Sequence, residues 1–152
     1  MSEPQLETVL AQCTEAVLEQ MFFVRALNGP LPAPDSVLIV EVPFEGDPCG
    51  RLALRVTAPA ARSIAADFLG EEECVLSEQQ VGEVMCELAN IICGSVLSRV
   101  ESDTTFRLGS SRLTSDSEVF HSENAALHSV ALDNGAILIA FDVERPVCPL
   151  GG

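Results

Sequence analysis

The stretch from Ser77 to Arg99 limits what this chain can fold into more than any other. Apolar residues fall at Val81, Val84, Met85, Leu88, Ile91 and Ile92, with Ser95 in line. That period places them on one side of a long helix. Ser77 followed three residues later by Gln80 is a capping box that marks the helix start. An apolar stripe of this length must be covered, so the rest of the chain has to supply a second layer.

Short strands supply it. Between Arg51 and Val56, Leu52, Leu54 and Val56 alternate with Arg51, Ala53 and Arg55, the period of a strand in a sheet with one wet face. Val37 to Phe44 reads as the strand before it, and the turn Glu45-Gly46-Asp47-Pro48-Cys49-Gly50 joins the two. Ahead of them, Leu6, Val9, Leu10, Cys13, Val17, Met21 and Val24 predict a helix from Leu6 to Val24. It stops before the proline-rich loop Asn28 to Pro34.

After the second strand, Thr57 is placed to cap a helix with Pro59 in its first turn. Ala61, Ile64, Ala65, Phe68 and Leu69 form the predicted buried stripe of that helix, and Gly70 its stop. Glu71-Glu72-Glu73 reads as a solvated connector. Beyond the long helix, Thr105 to Thr114 reads as a strand, Asp116 to Asn124 as a polar loop and Ala125 to Leu132 as a strand. Asp133-Asn134-Gly135 turns that strand into Ala136 to Val143. The predicted order is α-β-β-α-α-β-β-β, an α+β fold with helices packed on an antiparallel sheet. We expect one domain over residues 1–145 and a loose tail over 146–152.

Charge narrows the range of partners. Against 23 acidic residues stand eight arginines and no lysine, a formal charge of −15. Such a surface repels phosphate backbones and anionic lipid heads, so neither nucleic acid nor a membrane surface is expected as a partner. No stretch approaches the roughly 18 apolar residues of a membrane span. Met1-Ser2-Glu3-Pro4 lacks the features of an export signal, so the expected location is the cytoplasm. Cys13, Cys49, Cys74, Cys86, Cys93 and Cys148 then read as reduced, mostly buried thiols. His121 and His128 lie far from any tight cysteine cluster, which argues against zinc. His121 falls in the polar loop and His128 on a wet or interface side of its strand. Ser110 and Ser111 lack the glycine pattern and nearby base of a nucleophilic serine.

The far side of the long helix carries the candidate chemistry. Glu83, Glu87, Asn90 and Gly94 fall within about 60° of one another, away from the apolar stripe. Folding alone asks for none of them there. A carboxamide can both donate to and accept from a water molecule, and a carboxylate one turn away can grip a cation on a partner. Glycine inside a helix costs about 1 kcal/mol relative to alanine, so Gly94 points to a surface that something else approaches closely.

The run Glu83-Val84-Met85-Cys86-Glu87-Leu88-Ala89-Asn90-Ile91-Ile92-Cys93-Gly94 resembles the active helix of the CheC/CheX/FliY chemotaxis phosphatases. The likeness spans Leu6 to Val143 and includes the first helix ending in Gln20-Met21-Phe22-Phe23 and the helix from Ala61 to Gly70. A single copy of the Glu-x-x-Asn unit, where CheC carries two, is similar to the CheX branch. Two positions depart from the family pattern. Glu83 stands where Asp or Ser is usual, and Leu113, with Ser110 and Ser111 close by, stands where a proline is usual.

The resemblance implies an aspartyl-phosphate phosphatase acting on a CheY-type receiver domain without a covalent intermediate. Asn90 would orient the attacking water, and Glu87 would pair with a receiver lysine. Glu83 and Gly94 would form the edges of the docking contact. The protein would need no cofactor of its own, since the receiver brings Mg²⁺. The family also implies a homodimer. Phosphoryl transfer needs little covalent help from a protein, so placing a water is a sufficient contribution. The alternative is a non-enzymatic adaptor, as in flagellar-switch relatives, that uses the same patch to bind a receiver or switch protein. A third reading, a small-ligand sensor, has no positive support in the sequence.

Overall fold

A computed structural model describes residues 3–21, 36–46, 49–99, 106–123, 125–132 and 135–144. The elements are α1 (Glu3–Met21), β1 (Val37–Glu45), β2 (Cys49–Thr57), α2 (Ala58–Leu69), α3 (Glu78–Leu97), β3 (Arg107–Leu108), β4 (Arg112–Thr114), β5 (Ala126–Leu132) and β6 (Gly135–Glu144). Short 3₁₀ turns stand at Glu73–Val75 and Glu118–His121. The strands make one six-stranded antiparallel sheet in the order β3-β1-β2-β6-β5, with β4 also paired to β1. The predicted α+β class and element order hold, except that the strand expected at Thr105 to Thr114 is broken in two. Met21 closes the described part of α1. Residues 22–24, the proline-rich loop, Asp47-Pro48, Thr105, Asp133-Asn134 and the tail lie outside the described residues.

All three helices cover one face of the sheet. Val40, Val42, Phe44, Leu52, Leu54, Val56, Ile137, Ile139 and Phe141 meet Leu10, Ile64, Met85, Leu88 and Ile92 there in a single core. α3 lies within that core, with Val81, Val84, Met85, Leu88, Ala89, Ile92, Cys93 and Val96 buried. Its length and composition would suit a membrane span, contrary to the sequence reading, yet over half of that stretch is buried inside the fold. The capping box fixes its start with both bonds, Gln80 N–H donating to Ser77 Oγ at 3.1 Å and Ser77 N–H to Gln80 Oε1 at 2.8 Å.

The acidic connector ahead of α3 is exposed but tied down. Arg62 of α2 donates to the carbonyls of Glu73 and Leu76 at 2.7 and 2.9 Å and pairs with Glu78. Gly70 ends α2 in the left-handed conformation, φ 67°. On α2 the buried residues are Ala60, Ala61, Ile64, Ala65 and Ala66. Leu69, expected in the stripe, stands outside it with 41% of its surface exposed. Thr57 makes no side-chain cap. Its hydroxyl instead accepts from Ala136 N–H at 3.2 Å and pins the start of β6. The hairpin between β5 and β6 forms as expected, but Gly135, read as part of the turn, is the first residue of β6 and pairs with Leu132.

The other face of the sheet is drier than its alternation suggests. Ala53 is fully buried because the segment after β4, expected to be a polar loop, folds back over it and buries Ser117 and Val119. His128 shares the helix-facing side of β5 with Ala126, Val130 and Leu132, not a wet face. Its Nε2 is buried without a hydrogen-bond partner among the described residues. His121 lies in the exposed 3₁₀ turn, 3.7 Å from Asp116. Cys13 and Cys93 are buried, Cys49 and Cys86 half-buried, and Cys74 exposed, so burial of the thiols is only partial.

Glu41 of β1 ties this outer layer together. It accepts from the Ser117 hydroxyl at 2.5 Å and from Arg112 at 3.1 Å, with Arg51 at 3.6 Å. Burial pushes its carboxyl up, but the Ser117 and Arg112 hydrogen bonds and both arginine charges outweigh that and hold it below its ordinary 4.5. A depressed carboxyl stabilises the fold above its ordinary value and loses that contribution as pH falls through the folded value. Replacing Glu41 with Gln should therefore cost about 1–3 kcal/mol at neutral pH. The loss should shrink toward pH 3, which urea denaturation across the pH range checks.

Candidate functional site

The site lies between α3 and the broken edge strand, and the break begins with Pro43. Pro43 has no N–H, and its carbonyl, accepting from Gly109 N–H at 2.8 Å, faces the edge strand. Neighbouring N–H and C=O groups of one residue point to the same side in an antiparallel strand. The missing donor therefore falls where β1 would otherwise bond its neighbour. Phe44 pairs with Leu108, while Glu41 pairs with Arg112 and Val40 with Leu113. Three residues, Gly109 to Ser111, thus stand opposite the two residues Val42 and Pro43. This is a bulge with one extra residue on the edge strand.

The bulge changes which side chains meet α3. Strand alternation alone would send Leu108 and Leu113 to opposite faces, because five positions separate them. With the extra residue both face the helix. Leu113 comes so close to Gly82 that a Cβ there would lie 2.7 Å from Leu113 Cδ1. Leu108 comes within 3.9 Å of where a Gly94 Cβ would stand. Ser111, two positions before Leu113, faces inward as well. Arg112 faces outward to Glu41.

Between these two contacts, Asn90 Nδ2–H donates to Ser111 Oγ at 3.2 Å. Asn90 is half-buried there, not on a fully wet face as the helical wheel implies, because the edge strand covers it from one side. Its Oδ1 has no hydrogen-bond partner among the described residues and remains available as an acceptor. Glu87, one turn earlier, is exposed and makes neither ion pair nor hydrogen bond among the described residues. Glu83 is exposed too, and accepts from Gln79 at 3.2 Å. Gly94 is half-buried and lines a cleft of about 280 Å³ together with Leu97, Ser98, Phe106 and Leu108. α3 thus carries the four candidate residues along one side, with an acidic end at Glu83 and Glu87 and an apolar end at Gly94.

This arrangement can hold a water through a carboxamide and a cationic partner through a carboxylate. Cys93, on the same helix, faces the core, where burial pushes its thiol up to about 12. Among the described residues no group of three His, Cys, Asp or Glu gathers to hold a metal ion. The Ser111 contact escaped the sequence reading, which weighed that serine as a nucleophile and as a neighbour of the position where a proline is usual. Pro43 inside a strand, with Gly109 to pack against it, is the sequence signal for the bulge.

Comparison with known proteins identifies the fold and the family. The family model described as chemotaxis phosphatase CheX matches residues 38–132. The chemotaxis protein CheX of Vibrio vulnificus superposes with a TM-score of 0.72 at 15% identity, covering 95% of this chain and 99% of that one. A chain of the CheX-CheY-BeF3-Mg²⁺ complex of Borrelia burgdorferi gives 0.71 at 16% identity, with the same coverage. FliY of Thermotoga maritima gives 0.60 at 10% identity, covering 90% of this chain and 85% of that one. At these identities the likeness of the solved structures is one of fold. Among curated proteins no sequence is significantly similar.

Among the described residues nothing requires glycine at position 94. A Cβ there meets a single atom, at ordinary van der Waals distance. Gly94→Ala should therefore raise stability by up to about 1 kcal/mol through helix propensity, measurable as an upward shift in melting temperature. A fall in stability would mean that the cleft closes more tightly on α3 than described.

Proposed function

This chain belongs to the CheX family of chemotaxis phosphatases, and from that premise we propose that it dephosphorylates the aspartyl phosphate of a CheY-type receiver domain. The observation that carries the reading is the side of α3 itself. An exposed Glu87 carboxylate, unpaired among the described residues, stands one turn from an Asn90 carboxamide whose Oδ1 has no partner among them, on a helix that cannot shift without breaking the core. The solved complex from Borrelia burgdorferi joins a CheX to CheY with BeF3 and Mg²⁺, which supports the partner class.

In this reaction a water oxygen bonds to phosphorus as the bond from phosphorus to the aspartyl oxygen breaks. The products are the free aspartate carboxylate and inorganic phosphate. The receiver supplies Mg²⁺ and a lysine with its acyl phosphate. Asn90 Oδ1 accepts a hydrogen bond from the water and turns its lone pair toward phosphorus. Glu87 binds the receiver lysine through a charge-assisted hydrogen bond and fixes the depth at which α3 sits. Each contribution is one of placement, and placement is what a dissociative phosphoryl transfer rewards most.

Glu83 extends the acidic end of the contact. Gly94 and its cleft let the receiver backbone approach the other end. The charge of −15 favours encounter with a partner whose rim is basic, in a manner that weakens with salt. We place the protein in the cytoplasm and as a homodimer. The edge of β5, unpaired among the described residues and with Leu127 44% exposed, is suited to a strand-to-strand contact between copies.

The test is the decay of phosphate from a Mg²⁺-loaded CheY-type receiver. The native chain should accelerate it, and Asn90→Ala should lower turnover by roughly 10²-fold while leaving fold and binding intact. Glu87→Ala should chiefly raise the half-saturating receiver concentration and flatten its dependence on salt. Binding to the phosphorylated receiver without any change in its phosphate lifetime would contradict a phosphatase and leave an adaptor.

A further inference from the structure

Asn90 reaches its task with a supporting contact that the Glu-x-x-Asn pattern does not contain. A carboxamide on a helix surface rotates about its last side-chain bond between two nearly equivalent orientations, one exchanging oxygen for nitrogen. Only one of them offers an acceptor to a water in a given place. In this chain the Asn90 Nδ2–H donates to Ser111 Oγ at 3.2 Å, and both residues are partly buried at the contact. Ser111 comes from the bulge opposite Pro43, where an extra residue turns it toward α3.

We propose that Ser111 is the positioning residue of this site: its hydroxyl, aimed at α3 by the bulge, holds the Asn90 carboxamide with Oδ1 toward the attacking water. This rests on the phosphatase reading and adds to it a residue from a second element. The edge strand is well placed for the role. Leu113 against Gly82 and Leu108 near Gly94 fix it to α3 on either side of Asn90. The Glu41 network, through Arg112, holds the residue next to Ser111 from the opposite face. The backbone at Ser111 is thus held between two anchors, with the Oγ within reach of the Asn90 amide.

Ser110, its neighbour in the bulge, is exposed and makes no hydrogen bond to Asn90. It serves as the internal control. Ser111→Ala removes the hydroxyl and little else, whereas Ser111→Thr keeps an oxygen in reach. Losing one hydrogen bond that orders a reacting group corresponds to a loss of roughly three- to tenfold.

Two measurements, made with the whole chain, test this. The first is turnover on a phosphorylated CheY-type receiver, together with affinity for the same receiver loaded with BeF3 and Mg²⁺. Ser111→Ala should lower kcat roughly three- to tenfold, with affinity and melting temperature unchanged. Ser111→Thr should restore most of kcat, and Ser110→Ala should do nothing. On the Asn90→Ala background, Ser111→Ala should cost nothing further, since the hydroxyl acts only through that amide.

The second measurement is the side-chain amide signal of Asn90 by nuclear magnetic resonance in the free protein. In the native chain its two protons should be widely split and slow to exchange, and Ser111→Ala should collapse that difference. Unchanged kcat in Ser111→Ala, beside an active native chain, would overturn the positioning role and leave the phosphatase standing. A rise in kcat would overturn it too, by making Ser111 a restraint on Asn90. If the native chain accelerates no receiver that it binds, the phosphatase reading fails and takes the positioning role with it. The amide signal then still reports whether the contact exists.

Discussion

Pro43 cannot donate a hydrogen bond, and the working edge of this molecule is arranged around that missing donor. Because the ladder between β1 and its outer neighbour fails at one position, the neighbour slips by one residue and breaks into β3 and β4. The slip brings Leu108, Ser111 and Leu113 to the same side, facing α3. An unbroken edge strand would turn either Leu108 or both Ser111 and Leu113 away from the helix. The contacts that flank Asn90, and the hydrogen bond that holds it, all follow from that one irregularity.

Support for the irregularity comes from both faces of the sheet. On the helical side, the core fixes α3 through Val84, Met85, Leu88 and Ile92, so its far side presents a rigid row of groups. On the other side, Glu41 draws Arg112, Arg51 and Ser117 together and closes the segment after β4 over Ala53. A buried carboxylate with three partners is costly to disturb, since removing any one leaves polar groups unsatisfied. It clamps the edge strand where that strand has few ladder bonds of its own. The candidate site is therefore rigid without lying in the core, which suits the water-holding role proposed for Asn90.

Much of this was legible in the residues. The 3.6-residue period and the Ser77–Gln80 box located α3 to within a residue or two, because a long buried helix leaves a strong and local pattern. The Asn-Gly hairpin and the strands of the central pair were equally plain. What the sequence hid depended on contacts between distant segments. Thr57 looks like a helix cap, but its hydroxyl is taken by Ala136 across the sheet. The segment Asp116 to Asn124 looks polar, yet Ser117 and Val119 are buried, because Glu41 lies opposite to receive the serine. Glu87 and Asn90 could be placed on one side of a helix by arithmetic. That Asn90 is half-covered, and by which residue, required the register of the edge strand.

The central claim is that the receiver seats on the side of α3 flanked by the edge strand. Its most direct test is to titrate the isotopically labelled chain with a CheY-type receiver carrying BeF3 and Mg²⁺ and to follow the backbone amide signals. The account predicts that perturbations gather on Glu83 to Gly94 and on Leu108 to Leu113, with the Asn90 side-chain amide among the most affected. Perturbations centred instead on the 3₁₀ turn Glu118–His121 and the outer face of β5 and β6 would place the partner on the wrong face and contradict it.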